Sequence, residues 1–121
     1  MTALKLRILF DRVMLGPGKA ELLDRIRDTG SIAAAGRQME MSYKRAWTLV
    51  EEMNAAFATP LVNSARGGQG GGGAQLTATG AEVLRLYRDV VARSEQAAAE
   101  PLRLLEGMLR AKSESDRSGG K

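Results

Sequence analysis

At 121 residues, with 44% of them hydrophobic and 26% charged, the chain has room for one compact domain with some sequence left over, and its balance is that of a globular protein and not a disordered one. It has no cysteine and no histidine, which excludes disulfides, thiol nucleophiles, zinc fingers and every histidine-based catalytic arrangement. The formal charge of +4 fits a polyanionic partner without requiring one, and only 4% of the residues are aromatic, so the core must be aliphatic, as suits packed helices.

Residues 4–10 alternate apolar with basic, Leu4-Lys5-Leu6-Arg7-Ile8, before the apolar pair Leu9-Phe10, and this pattern predicts a half-buried strand. Gly16-Pro17-Gly18 is a turn signal. After it, Leu22, Leu23 and Ile26 stand at helical spacing up to Thr29-Gly30, the first helix. Ser31 is a suitable cap for a short second helix carrying Ile32, Ala33, Ala34, Ala35 and Met39, whose small residues permit a close neighbour. Ser42 caps a longer third helix, in which Ala46, Leu49, Val50, Met53 and Phe57 recur as one core face and which Pro60 is expected to stop.

Two extended stretches follow, Leu61-Val62-Asn63-Ser64 and Ala74-Gln75-Leu76, on either side of a glycine run, and they predict a hairpin with a flexible tip. Thr79 and Glu82 have the spacing of a capping box that opens a helix through Val83, Leu84, Tyr87, Val90 and Val91. Pro101 should kink or interrupt that helix before the apolar pattern resumes over residues 102–109, and residues 112–121 are expected to form a disordered tail.

Two helices joined by Glu40-Met41, with small residues on the first and a capped polar start to the second, describe a helix-turn-helix, and the hairpin behind them supplies a wing. A recognition helix enters the major groove N-terminus first, because its unpaired N–H groups favour phosphate and its first turn reaches base edges. Ser42, Tyr43, Lys44 and Arg45 lie in that turn, with Arg45 the candidate for bidentate contact to guanine. Ser31, capping the preceding helix, joins them as a candidate DNA contact.

In the wing, Arg66 brings charge, and Gly67, Gly68, Gln69 and Gly70 let backbone approach a phosphate without Cβ collisions. The bland alternatives are a merely solvated pair at Lys44 and Arg45 and an uncontacted linker at the glycines. A phosphate-binding P-loop is discounted, since Ala74-Gln75 and not Lys-Ser or Lys-Thr follows the last glycine. Trp47 is expected to be a partly buried packing residue, and Met39, Met41 and Met53 to be core filler and not metal ligands.

Four segments carry a family resemblance: Thr29-Gly30-Ser31-Ile32-Ala33-Ala34-Ala35; Met41-Ser42-Tyr43-Lys44-Arg45-Ala46-Trp47; Val50-Glu51-Glu52-Met53-Asn54; and residues 66–74 with Leu76-Thr77. Over residues 4–87 the chain resembles the N-terminal DNA-binding domain of the ModE-type molybdate-responsive transcriptional regulators, itself similar to the LysR-type DNA-binding domain. The resemblance implies DNA contact at Ser42, Tyr43, Lys44 and Arg45 and through a glycine-rich wing. Family members bind molybdate through additional C-terminal domains. Residues 110–121 leave no room for one, so no molybdate binding is expected from this chain alone.

The expected fold is mainly α: a winged helix-turn-helix over residues 1–78, made of three helices, short strands and a wing hairpin, then a long C-terminal dimerisation helix or helices over 79–111. Leu102, Leu104, Leu105, Met108 and Leu109 exceed what a three-helix core can cover, which argues for a homodimer. The expected function is a sequence-specific, dimeric transcriptional regulator that binds double-stranded DNA at a palindromic operator in the cytoplasm, with no catalytic residue, metal, cofactor or membrane partner. The alternative is a protein-interaction module that uses the winged fold and the Leu-rich C-terminal helix.

Overall fold

In the computed structural model, which describes residues 2–65 and 73–110, the N-terminal alternation is kept: Leu4, Leu6 and Ile8 are half-buried while Lys5, Arg7 and Leu9 are exposed. The strand is much shorter than residues 4–10. Only Ile8–Leu9 (β1) pairs, antiparallel with Met14–Leu15 (β2), Ile8 opposite Leu15 and Leu9 opposite Met14. The partner is short because Gly16 already caps the next helix and Pro17 opens it, so nothing is left to lie opposite residues 4–7. Gly16-Pro17-Gly18 is therefore a helix start and not a free turn; the fixed φ of Pro17 and its missing N–H both suit the first helical position.

Helix α1 (Pro17–Thr29) ends on Gly30 in the left-handed region, φ 72°, whose N–H bonds the Ile26 carbonyl at 2.8 Å. Ser31 and Ser42 both cap as expected. Their hydroxyl oxygens accept from Ala34 N and Arg45 N, each at 3.0 Å, at the heads of α2 (Ile32–Gln38) and α3 (Tyr43–Ala56). Helix α3 stops at Ala56, short of Pro60. Phe57 leaves the helix with extended backbone and meets Phe10 edge to face at 6.4 Å, so it is a half-buried flank of the core and not its centre.

The wing strands β3 (Val62–Ala65) and β4 (Gly73–Leu76) pair antiparallel, Val62 opposite Leu76 and Ala65 opposite Gly73. Helix α4 (Ala78–Ala97) begins earlier than the capping box at Thr79 and Glu82 implied. Its cap is Thr77, whose hydroxyl accepts from Gly80 N at 2.9 Å and donates to the Pro60 carbonyl at 2.7 Å. Thr77 wins because it is the first residue past β4 and its own N–H already bonds the Leu61 carbonyl at 2.9 Å. Thr79 instead bonds Thr59, and Glu82 pairs with Arg85, which holds the Glu82 carboxyl below its ordinary pKa. The interruption expected near Pro101 falls at Ala98, and Pro101 sits in the first turn of α5 (Ala99–Gly107), where its missing N–H leaves no helical bond unmade.

The core gathers around α1, where Leu22, Leu23 and Ile26 have no exposed surface. Against them lie Ile32 and Ala35 of α2, the predicted α3 face of Ala46, Leu49, Val50 and Met53, the wing root at Leu61, Val62 and Ala74, and Leu84 and Tyr87 of α4. Burying each large aliphatic side chain stabilises by about 1.5–3 kcal/mol, several times what an exposed helical ion pair gives, so packing and not surface charge holds the bundle. Tyr87 ties α4 to the N-terminal segment by donating to the Leu6 carbonyl at 2.6 Å. Burial pushes the phenol's pKa up, which keeps the donor protonated through the ordinary pH range.

Candidate nucleic-acid interface

The turn between α2 and α3 is set by backbone geometry. Glu40 has φ 58°, and around it Glu40 N bonds the Arg37 carbonyl at 3.0 Å while Met41 N bonds the Gly36 carbonyl at 2.9 Å, the paired closure of a Schellman motif. Glycine is the usual occupant of that left-handed position, and a side chain there is strained. Glu40→Gly is accordingly expected to stabilise the fold by up to about 1 kcal/mol, read as a higher denaturant midpoint with an unchanged slope. Gly36, in turn, lets the two helices close: a Cβ built there would lie 3.0 Å from the Ala46 Cβ.

This turn presents the start of α3 to solvent. Ser42, Tyr43, Lys44 and Arg45 are all exposed, and no carboxylate lies in the helix's first turn. The acidic residues Glu51 and Glu52 come two turns later, so charge is graded along the helix with its positive end foremost. With Ala46, Leu49, Val50 and Met53 turned inward, the 3.6-residue period puts Lys44, Thr48, Glu51 and Ala55 on the opposite stripe. Arg45 stands on the flank, where with Lys5, Arg7, Lys19 and Met41 it borders a groove of about 630 Å³. Lys19 is buried there as an internal strut, donating to the Met14 carbonyl at 3.0 Å and facing Glu52 at 3.5 Å.

Each wing strand is fastened to a different part of the helix-turn-helix. Asn54 of α3 accepts from Leu61 N at 2.8 Å and Val62 N at 3.1 Å and donates to the Val62 carbonyl at 3.0 Å, clamping the root of β3. Ala74 N of β4 bonds the Gly30 carbonyl at 2.9 Å, at the corner just before the Ser31 cap. The remaining predicted wing contacts, Arg66, Gly67, Gly68, Gln69 and Gly70, lie outside the described residues, as does the tail over 112–121.

The structure thus brings Ser42, Tyr43, Lys44 and Arg45 together on one helical turn and sets half-buried Ser31 at the head of the neighbouring helix. Trp47 is partly buried as expected, at 43% exposure, and stands one turn from Tyr43, itself 55% exposed, so the pair forms an aromatic flank to α3. Two other residues escaped the sequence reading. Lys5 and Arg7 were legible only as the polar side of a strand; their shared alternation phase was the available signal, but nothing local placed them beside Arg45. Among the described residues no group of three or more metal-ligating side chains occurs, and no helix is long and apolar enough to cross a membrane.

Comparison with known proteins agrees with this geometry. Residues 18–81 match the family described as "Bacterial regulatory helix-turn-helix protein, lysR family". The chain is 39% identical over 95 residues to the transcriptional regulator ModE of Yersinia pestis, covering 78% of this chain and 36% of that protein. It is 38% identical over 94 residues to the DNA-binding transcriptional dual regulator ModE of Escherichia coli K12, with the same coverage, 78% and 36%. To the molybdenum-pterin-binding protein MopB of Rhodobacter capsulatus it is 45% identical over 73 residues, 60% of this chain and 27% of that one. The chain therefore spans about a third of the length of these relatives. With a family match that runs from the first turn of α1, through the helix-turn-helix and both wing strands, to the head of α4, the chain belongs to the lysR family of bacterial regulatory helix-turn-helix proteins.

Proposed function

We propose that the chain is a DNA-binding transcriptional regulator that acts in the cytoplasm as a homodimer on a palindromic operator, placing two copies of the turn over residues 42–45 in successive major grooves. The observation that carries this is the exposed, Ser42-capped first turn of α3, which holds Lys44 and Arg45 and no carboxylate. Lys44 serves a phosphate or guanine, Ser42 and Tyr43 bond phosphate or base edges, Ser31 offers its hydroxyl from the adjacent helix head, and Arg45 reads a base. Arg66, Gly67, Gly68, Gln69 and Gly70 supply the wing contact. Residues 79–111 supply the dimer contact: on α4 Leu86 and Val90 are exposed, and α5 buries none of its residues.

Titration of a random duplex with salt is the first test, followed by the fluorescence of Trp47, the chain's single tryptophan. A steep loss of affinity with rising salt is expected. Arg45→Ala should cost about 1–3 kcal/mol on the selected operator and relax preference at one base pair per half-site. A variant that ranks sequences as the parent does would remove Arg45 from base reading. Site selection from a random DNA pool should return the same sites with and without molybdate, because this chain alone is not expected to bind it.

The exposed Leu104, Leu105, Met108 and Leu109 also favour a second reading, a module that docks on a partner protein through its C-terminal helix. Absence of DNA binding at low salt, together with a monomeric chain, would select that one.

A further inference from the structure

Most arginines of the helical body are already spoken for: Arg25 pairs with Glu21, Arg27 and Arg88 with Asp24, Arg85 with Glu82 and Arg93 with Asp89. Lys5, Arg7 and Arg45 are different. Among the described residues none of the three has an ion-pair partner, and all are exposed on the groove between the N-terminal segment and the head of α3. No carboxylate lines that groove. Its fourth cation, Lys19, is buried and already paired with Glu52 at 3.5 Å. The stem of Arg7 lies across Gly16, its Cγ 3.1 Å from where a Cβ of residue 16 would stand, so the side chain is laid along the start of α1 and toward the groove.

We propose that this groove grips the phosphate backbone of one DNA strand beside the recognition helix, with Lys5 and Arg7 as contacts that add affinity without reading sequence. The inference rests on the DNA-binding reading above and adds residues outside the helix-turn-helix to it. An α-helix with its side chains is about 10–12 Å across and a major groove about 12 Å wide, so the flanks of an inserted helix run along phosphate walls. Arg45 stands where that flank meets the base-facing side, its long side chain able to reach a base edge, and Lys5 and Arg7 continue the positive surface outward along the phosphate wall. Alternate residues of an extended chain share a side about 6.6 Å apart, so Lys5 and Arg7 form a row, which suits a polyanion better than a single small anion. Arg7 adds a fork able to take two phosphate oxygens at once.

The test uses the full chain carrying Lys5→Gln and Arg7→Gln together, each alone, and the charge-keeping pair Lys5→Arg and Arg7→Lys. Binding to a random duplex and to a selected operator is followed by anisotropy across salt concentrations. Each lost phosphate contact should flatten the plot of log affinity against log salt by about 0.9, hence by about 1.8 in the double variant. Affinity should fall by the same factor on both duplexes, the ratio between them should stay that of the parent, and the charge-keeping pair should retain the parent slope. A parental slope in the double variant overturns the inference, as does a change in the operator-to-random ratio. If the parent itself binds neither duplex at low salt, the DNA-binding reading fails and takes this one with it. The exposed positions of Lys5 and Arg7 predict unchanged melting of all variants.

Discussion

A chain with Leu104→Asp and Leu105→Asp is expected to be monomeric and to bind a two-half-site duplex about 10²–10⁴-fold more weakly than the parent, the range lost when two linked binding events become one. Helix α4 is anchored to its own domain through buried Leu84 and Tyr87, with Val91 half-buried and Arg88 paired with Asp24 beyond them. Beyond Ala98, α5 and the two residues after it carry Leu104 at 53% exposure, Leu105 at 60%, Met108 at 80% and Leu109 at 71%, a stripe at i, i+1, i+4 and i+5 that the described residues leave exposed. Monomers do not leave such a stripe wet without a reason. Because both leucines are exposed, the aspartates should spare the domain's melting transition while sedimentation shows the halved mass. Binding to a single half-site should hardly change. A parent chain that sediments as a monomer at the concentrations where it saturates an operator would sink the dimer.

Gly80→Ala should cost about 3 kcal/mol or more, at or beyond the top of the usual range for overpacking, and lower the melting temperature by roughly 10–20 °C. Gly80 sits in the first turn of α4 directly against the wing root, and a Cβ there would fall 2.2 Å from the Leu61 carbonyl oxygen and 2.8 Å from Leu76 Cδ1. A leucine methyl can swing away. The carbonyl cannot, since it already accepts the Thr77 N–H at 2.9 Å and Leu61 is fully buried with its own N–H held by Asn54. Gly18, where an added Cβ meets nothing within 4 Å, is the control: Gly18→Ala should leave thermal unfolding nearly where it was. Equal melting temperatures for the two variants would show that the helix start shifts to accommodate the methyl.

Whatever is encoded within a turn or two was readable from the residues. Ser31 and Ser42 as caps, Gly30 as a terminator and the α3 face of Ala46, Leu49, Val50 and Met53 each follow from local hydrogen bonding or a 3.6-residue period. The cationic first turn of α3 was readable for the same reason, being the cap Ser42 and the three residues directly behind it. Thr77 and Thr79 could not be ranked without knowing that Leu61 offers a carbonyl to the first of them. The N-terminal strand kept its alternation of burial but lost its length to a partner that Pro17 ends early. Trp47 is partly buried, as a large aromatic ring on a core-bearing helix should be, but only the packed bundle shows that it shares a flank with Tyr43. Lys5 and Arg7 meet Arg45 across some forty residues of chain, a distance at which no periodicity speaks.

The two separate fastenings of the wing, β3 to Asn54 and β4 to Gly30, make the protein's tolerance of length changes lopsided. An extra residue between Ala65 and Gly73 leaves both fastenings in place, and lengthening a connection costs only the slow logarithm of loop closure, about 0.6 kcal/mol for a doubling. One extra residue between Ala74 and Thr77 would invert which side chains of β4 face the interior and pull Thr77 off the head of α4. Natural variation in this family should therefore collect in the glycine run and stop abruptly at its borders.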